Sequence, residues 1–586
     1  MAPDRKDTSI SSSDGNSEDK PATPGPLPNA QTVRIHLGEE YEKNPGIGAL
    51  SYIYSLDTDT TPSYLPLATS EFGKHSFIGT IGTADGIITA VGKPCVAKIA
   101  DLWSRPVAYS VVCYILVASA HTVYAVAGGM VMYTVGHTGL FLVTDIIVSD
   151  ISPLEWRGFA AALTTAPVIV NSFIAGEIVS SIEAVLDGVG ATECKFAIIT
   201  PAIMAPAIMT LFAAERRAKE KGELVSGRPT DESKPRRSVF QLLREFTTQM
   251  DIVGLVLLGL IFGLILFPIS LAKTVHGGWS NASMIAMISV GAACVPVFVV
   301  WERFFATQAI MSRRLITNRA FQAAVGIHFF HQFADPFWSL YLSSFVWVVK
   351  DWDTSSWVYF NNTVNVTTSV FNLVGGLILK YTHSLRSRYS TYVSIAAPSA
   401  LTFANPYEQW HWSTNLASRR WDRGLDRPSG NQVLIGIGGA FSVVGSRVGA
   451  QASVPHEDLA SLTALLSVWT SLGGAVGNAV ATAMWTANMP SNLDKYLPGV
   501  PQATINKLYG SIKSARNASP AIRQGVIQAY GATTRPMFII GLGLVRMLYP
   551  GVLYAELLSW EDTKCRGRKR LGRGSCGKAN ADETQS

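Results

Sequence analysis

The sequence predicts an all-α polytopic membrane protein, and two observations carry that prediction. Of the 586 residues, 48% are apolar and 15% are charged, whereas a soluble domain averages about 25% charged residues. Long apolar runs recur from residue 46 to residue 559, and most approach the roughly 20 residues that a helix needs to cross a bilayer. This pattern excludes a globular enzyme with a tail. The net charge of +6 does not indicate nucleic-acid binding, because much of it lies in connections between the runs.

Fourteen apolar runs are candidate transmembrane spans, arranged in two halves. Residues 46–214 hold spans 1–6, at 46–67, 77–99, 107–127, 128–149, 159–183 and 195–214. Residues 251–487 hold spans 7–13, at 251–272, 281–301, 321–349, 357–381, 389–404, 433–452 and 460–487, and span 14 follows at 536–559. The basic segment over residues 215–250 is too polar to cross a membrane, which predicts a cytoplasmic linker between the halves.

Basic residues fall on alternate connections, as the positive-inside rule requires. With residues 1–45 as a disordered cytosolic tail, the connections after spans 2, 4, 6, 8 and 10 are cytoplasmic, and so is the basic tail over 560–586. The polar stretch over 488–535 is then an extracellular loop, which at this length is either functional or disordered. Residues 384–432 are atypical, because four arginines follow span 11 on the predicted outer side. They are an insertion or an error of gene structure.

Ionisable side chains inside the spans are candidate parts of a substrate or ion pathway, since charges are rare in the hydrocarbon. In span 9, His328, His331 and Asp335 recur at i, i+3 and i+7 and so share one face of a helix. Because histidine titrates near neutral pH, His331 and Asp335 are either a proton-coupling pair beside a wet cavity or a hydrogen-bonded clamp between helices. A metal site is a third alternative, although no further ligands are visible nearby.

Spans 1, 2 and 4 carry further candidates. Span 1 contains Asp57, Asp59 and Tyr64, and a carboxylate ahead of Pro62 predicts an interrupted helix of the kind that lines transporter binding sites. Asp85 lies in span 2. His137 lies in span 4, where a hydrogen-bonded core histidine is the plainer interpretation. The paired glycines lie inside apolar runs, which indicates close helix packing and not a phosphate loop.

A charged corner separates spans 2 and 3. Its residues Lys98, Asp101 and Arg105 can hold two helix ends together in one conformation and release them in another, or they can form a solvated loop. The spacing of Ala97, Asp101 and Arg105 resembles the loop between helices 2 and 3 of the major facilitator transporters. Asp150 and Arg157 lie near a membrane face and are predicted to make similar pairs; the list of predicted gating residues is therefore Lys98, Asp101, Arg105, Asp150 and Arg157.

Motifs throughout the chain carry a more specific resemblance. They include Tyr54, Asp57, Pro94, Ala97, Asp101, Asp150, Trp156, Arg157, Asn171, Asp251, Trp301, Glu302, Asp335, Tyr341, Gly375, Gly376, Trp485, Tyr509 and Tyr530. From about residue 50 to 540 the chain resembles the fungal siderophore–iron transporters, a proton-coupled, fourteen-helix branch of the major facilitator superfamily. It departs from the family where Thr61 replaces a frequent Arg, and where the last span contains Arg546 and Pro550.

The resemblance implies import of a ferric, hydroxamate-type siderophore by proton symport through alternating access. It adds Asn171 and Tyr341 to the predicted pathway, which also includes Tyr64 of span 1. It implies no enzyme activity and no resident cofactor, iron being present only within the transported chelate. The expected partners are the chelate, protons and lipid, for a monomer in the plasma membrane or in endosomal or vacuolar vesicles. A proton-coupled exporter or exchanger of drugs or other organic solutes, and a degenerate paralogue that does not transport, remain alternatives.

Overall fold

The computed structural model describes residues 46–102, 134, 137–138, 148, 152, 156–187, 251–275, 277–306, 313–382, 426–454 and 459–546. These residues form α-helices with short 3₁₀ turns and one π-helical segment, and no β-strand occurs among them. The predicted spans at 107–127, 195–214 and 389–404, nearly all of span 4, the tails, the 215–250 linker and residues 383–425 lie outside the described residues.

The first half begins with two long helices and continues with a broken one. They are α1 (Gly46–Glu71), α2 (Ile78–Leu102), α3 (Arg157–Leu163) and α4 (Pro167–Asp187). The predicted interruption at Pro62 is wrong, because α1 runs through both Pro62 and Pro66. Hydroxyls within α1 donate back to carbonyls of the preceding turn, for example Thr58 to Tyr54 at 2.9 Å. Such bonds, together with packing by neighbouring helices, let a membrane helix contain proline.

Two apolar helices follow as a hairpin. They are α5 (Ile252–Leu271) and α6 (Ala282–Val300), and α6 continues into the π-helical segment Trp301–Phe305. Many of their apolar side chains are exposed, among them Val256, Leu260, Ile285 and Val299. Because apolar side chains exposed in this way require a nonpolar surrounding, the pair is suited to contact lipid on its outer face.

The second half contains a helix that is broken where the sequence predicts one continuous span. In place of span 9 the chain forms α8 (Arg319–Ala334), α9 (Pro336–Ser339) and α10 (Leu342–Val349), preceded by the short α7 (Arg313–Ile316). The first break falls at Pro336, which has no N–H to continue the preceding helix. The second half then continues with α11 (Thr354–Thr382), α12 (Asp426–Ala452) and α13 (Leu459–Tyr496).

The polar stretch over 488–535 is helical for most of its length. It contains the end of α13, then α14 (Gln502–Gly510), α15 (Ile512–Arg516) and the start of α16 (Pro520–Arg546). We call α14 and α15 the cap segment. Its apolar positions Ile505, Leu508, Ile512 and Ala515 are all buried in one apolar cluster with residues of α1, α10 and α16. The cap segment is polar overall, but it packs against the protein through a narrow stripe of these four apolar residues.

The two halves meet along a seam between α2 and α13. Three glycines of α2 face small or polar residues of α13 in antiparallel order: Gly79 opposite Thr482, Gly82 opposite Asn478, and Gly86 opposite Ala475. A Cβ on Gly86 would lie 2.9 Å from the Cβ of Ala475. Glycine lets the two helix backbones approach closely, as it does in other membrane helix pairs.

A second seam joins the broken helix, α3 and α4, to α11. A Cβ on Gly376 would lie 2.6 Å from the Cα of Phe159, while Thr354 donates a 2.6 Å hydrogen bond to Glu183 near the other end. By length and apolar composition, four described helical stretches could each cross a membrane: Arg157–Ser181, Val253–Leu271, Ala282–Phe305 and Ser461–Tyr496.

Candidate substrate and proton pathway

The first half contains a polar cluster formed by α1, α2 and the described residues of span 4. The ring of Tyr54 stacks on that of His137 with centroids 4.6 Å apart, and Thr58 Oγ1 lies 3.5 Å from His137 Nε2. Thr134 donates a hydrogen bond to the carboxylate of Asp85. The structure thus connects His137 to α1, and Asp85 to the same turn of span 4.

Asp57 is buried in α1 and accepts a 2.8 Å hydrogen bond from Thr61 Oγ1, one turn further along. Asn171 of α4 donates through Nδ2 to the carbonyl of Tyr52 at 2.6 Å and to the hydroxyl of Ser55. Asn171 therefore ties α4 to α1. This contact gives a structural reason for an amide in the middle of an apolar helix.

The three ionisable residues of span 9 have different neighbours. His328 is buried, and its Nδ1 lies 3.4 Å from Thr470 Oγ1 on α13. His331 faces α12, since a Cβ on Gly439 would lie 3.3 Å from its Nε2. Asp335 follows α8 and accepts a 2.9 Å hydrogen bond from Ser339 across the break. Among the described residues, no group of three or more His, Cys, Asp and Glu is placed to hold a metal ion.

Tyr64 and Tyr341 lie in an aromatic core beneath the cap segment. Tyr341 stacks on Trp485 with ring centroids 4.0 Å apart and 6° between planes, and Trp485 meets Tyr530 edge to face at 5.2 Å. The exposed fraction is 8% for Tyr64 and 2% for Tyr341. In this conformation both tyrosines pack as core residues.

The predicted gating residues lie mainly outside the described side chains. Lys98 and Asp101 are in the last turns of α2, where only the backbone is described, and Arg105 and Asp150 lie outside the described residues. Arg157 begins α3 and is buried. Beside it, the ammonium of Lys380 on α11 lies 3.5 Å from the ring centroid of Trp156, a cation–π contact that links the two halves.

Two buried charged residues join the halves: Lys93, which is absent from the predicted pathway, and Asp59, which is one of the candidates in span 1. Lys93 of α2 donates to Ser467 at 2.7 Å and Ser471 at 3.2 Å on α13. Asp59 of α1 accepts from Ser172 of α4 at 2.9 Å and from Asn365 of α11 at 3.3 Å. Lys93 lies within the apolar run of span 2, and a charged residue at such a position could have marked it as a candidate. The motif of span 1 includes Asp57 and not Asp59, and no sequence signal indicated that Asp59 would contact the other half.

Comparison with solved structures identifies the class of protein. A bacterial homologue of the human lysosomal transporter Spinster, inward-facing and unoccupied, matches with a TM-score of 0.52 at 14% sequence identity, covering 94% of this chain and 100% of that one. At this identity the match establishes the fold alone. The protein is an all-α, multi-pass membrane protein with the major facilitator fold, which confirms the predicted fold class.

Sequence relatives identify the family. The chain is 33% identical to a siderophore transporter of Zymoseptoria tritici, over 84% of this chain and 76% of that protein. It is 34% identical to the siderophore transporter fer7 of Mycosarcoma maydis (88% and 80%) and 33% identical to the low affinity heme transporter str3 of Schizosaccharomyces pombe (84% and 77%). No protein-family model matches the chain. The chain belongs to the fungal siderophore–iron transporter family, as its motifs predict.

Proposed function

We propose that the protein imports a ferric siderophore of the hydroxamate type by proton symport, through alternating access. Membership of a family whose named members carry siderophores supports the cargo class. The observation that carries the mechanism is the placement of buried ionisable groups at contacts between helices of both halves, as at Asp59 and Lys93. The family membership supports a protein that is not an enzyme.

The cargo would present mostly amide and carbon atoms, since hydroxamate oxygens enclose the iron. Aromatic walls suit such a surface without any bond from protein to iron. Tyr54, Phe330 and Trp338 are partly exposed and can supply these walls, while Tyr52 is exposed at 40%. Phe337 is 2% exposed in this conformation and contributes only if the core beneath the cap segment opens.

Proton coupling requires a carboxylate that is neutralised in one part of the cycle. Asp57, Asp85 and Asp335 are the carboxylates of the predicted pathway, and each accepts a hydrogen bond from a threonine or serine. Protonation lowers the free-energy cost of holding a carboxylate within the membrane while the loaded site changes from one side to the other. The two halves would then rock about the cargo, with the charged corner at Lys98, Asp101 and Arg105 holding the cytoplasmic side.

Heme is a second candidate cargo, because one relative at 33% identity is a low affinity heme transporter. Heme is a flat iron chelate with two carboxylates, so its shape and charge differ from those of a hydroxamate complex. The same protein fold can serve either cargo, and only transport assays separate them.

Uptake of radiolabelled iron tests the proposal. Fungal cells lacking their own siderophore carriers would express the protein and receive several hydroxamate chelates, a non-hydroxamate chelate, or heme, with and without a protonophore. We expect protonophore-sensitive uptake of a hydroxamate chelate. Uptake of heme alone would show that the cargo is heme and not a siderophore. Absence of any uptake, with the protein present at the membrane, would favour the exporter or the degenerate paralogue. Fluorescence microscopy of a tagged form of the protein tests whether it lies in the plasma membrane or in endosomal or vacuolar vesicles.

A further inference from the structure

Asp59 is a carboxylate at which helices of both halves converge. It lies on α1 and is 1% exposed. Ser172 of α4, in the same half, donates to Oδ2 at 2.9 Å. Asn365 of α11, in the other half, donates to Oδ1 at 3.3 Å, and Asn362 of α11 donates to the backbone carbonyl of Asp59 at 3.1 Å.

The partners of the Asp59 carboxyl are neutral. Within the described part of the chain no cation forms a salt bridge with Asp59, and only Ser172 and Asn365 act on it from nearby side chains. The described ionisable groups on elements packed against α1 have other partners. These are Glu177 with Tyr359, Glu183 with Thr354 and Lys513, Arg516 with Trp352, Lys380 with Trp156, Asp85 with Thr134, Lys93 with Ser467, His75 with Ser70, and His137 with Thr58. An ionised Asp59 in the closed seam would therefore be a buried charge without a counter-charge.

The hydrogen bonds around Asp59 suit both protonation states. A serine hydroxyl can donate to an ionised carboxylate or accept from a protonated acid, so the Ser172 contact persists in either state. The Asn365 amide donates to the other oxygen in both states. What changes is the net charge, and a charge buried without a partner is strongly destabilising. Proton binding thus permits the seam to close without rearranging its bonds.

We propose that Asp59 is the proton-coupling residue, whose protonation lets α11 of the second half close against α1 and α4 and whose deprotonation separates them. The inference rests on the proposed symport. A proton that enters from the outer side would bind Asp59 as the seam closes, and would leave to the cytoplasm when the seam opens.

Asp59→Asn is the informative substitution, because an amide is close in size to a protonated carboxyl and carries no charge. It is compared with Glu177→Gln, which removes a carboxylate that bonds Tyr359 on the same α4–α11 seam but does not contact Asp59. Asp59→Glu, which restores a titratable group, is the conservative variant.

The first experiment measures two transport modes in proteoliposomes, with the radiolabelled chelate that the wild type accepts. We expect Asp59→Asn to retain counterflow exchange at equal pH and to lose accumulation driven by a pH gradient. Glu177→Gln should keep both, and Asp59→Glu should recover part of the accumulation. Gradient-driven accumulation by Asp59→Asn at the wild-type level would overturn the inference while leaving the symport function intact. Loss of both modes in Asp59→Asn and Asp59→Glu would also overturn it, since the role would then be structural.

The second experiment does not require a cargo. Spin labels at Ser180 of α4 and Ser356 of α11, on a background without the native cysteines, report the separation of the halves as a function of pH. We expect wild type to shift toward short distances as the pH falls, and Asp59→Asn to give a distance distribution that does not change with pH. Equal pH responses in both proteins, or no response in wild type, would contradict the inference. If no chelate exchanges in the first experiment, the siderophore proposal fails, and the distances still decide the role of Asp59.

Discussion

The indole of Trp301 donates a 2.7 Å hydrogen bond from Nε1 to Oδ1 of Asp251, fifty residues earlier in the chain. Asp251 is the N-cap of α5, where the same oxygen also accepts from the backbone N–H of Gly254 at 3.2 Å. Its φ of 46° lies in the left-handed region, which aspartate and asparagine tolerate better than most residues. The bond closes the α5–α6 hairpin at its ends, so these two motif residues have a structural role.

Replacing Asp251 tests that role. We expect Asp251→Ala to lower the unfolding free energy by about 1–2 kcal/mol, because it removes an N-cap and leaves the partly buried indole N–H of Trp301 without its acceptor. Asp251→Asn keeps an acceptor oxygen and should lose less than half as much. Thermal unfolding in detergent measures both variants, and equal melting temperatures for Ala and Asn would contradict the prediction.

Gly79 of α2 should not tolerate any side chain. A Cβ there would lie 2.9 Å from the Cβ of Thr482 and closer still to its hydroxyl, so rotating the threonine cannot relieve the overlap and a helix must move. Overpacking of this kind costs about 1–3 kcal/mol or more. We expect Gly79→Ala to lower the melting temperature and the amount of protein at the membrane.

Gly92, on the same helix, is the matched control, because nothing lies within 4 Å of a Cβ at that position. Gly92→Ala should be neutral or slightly stabilising, since alanine has the higher helix propensity. A loss of stability from Gly92→Ala as large as that from Gly79→Ala would show that α2 is sensitive to any substitution and not to the seam.

Lys93 should contribute a measurable coupling across the α2–α13 seam. Its ammonium donates to Ser467 and Ser471, and hydrogen bonds to charged groups contribute about 1.5–3 kcal/mol. A double-mutant cycle of Lys93→Met with Ser467→Ala and Ser471→Ala, read by thermal unfolding, should give a coupling energy of that order. Strictly additive effects would mean that the two seryl contacts contribute nothing to the closed seam.

His75 should make the protein less stable in acid. It lies in the connection between α1 and α2, outside the predicted spans, and is completely buried. Its Nδ1 lies 3.4 Å from Ser70 Oγ, which also accepts from the N–H of Ile512 in the cap segment at 3.2 Å. Burial lowers the pKa of His75 from 6.5 to about 4.

The folded state therefore binds fewer protons at His75 than the unfolded state does. Its stability contribution is complete above pH 6.5 and is lost progressively as the pH falls toward 4, by about 3 kcal/mol in total for a pKa shift of this size. We expect His75→Asn, which retains a donor for Ser70 but does not titrate, to flatten the fall in melting temperature over this pH range. Parallel profiles for wild type and variant would assign the acid sensitivity to other groups.

The sequence predicted the parts of this fold that depend on local composition. Apolar runs of membrane length and alternating basic connections predicted the all-α membrane protein, and the motif residues predicted its family. The same local signals misplaced features that depend on neighbours. Pro62 does not interrupt α1, whereas Pro336 does break span 9, and the two prolines are chemically identical until packing distinguishes them.

The candidate pathway was predictable in residue type and not in arrangement. Helical spacing placed His328, His331 and Asp335 on one face, but a face of a buried helix meets several others, and here each residue has a different neighbour on α13, on α12 or across the break. Tyr341 is a family-motif residue of the predicted pathway, as Asp335 is, yet it stacks on Trp485 in the core. The contacts of His328, His331 and Tyr341 join residues more than a hundred positions apart, which no local pattern records.

The sequence alone determined that the chain is a membrane transporter of the siderophore family, because hydrophobic length, charge placement and motifs are local properties. Only the tertiary structure decided which charges join the halves. Asp57 and Asp59 are two residues apart on one helix, which points their side chains about 200° apart around its axis. Asp57 accepts from its own helix, whereas Asp59 accepts from α4 and α11. That difference arises from the packing of three helices, and it sets the free-energy cost of a charge at each position.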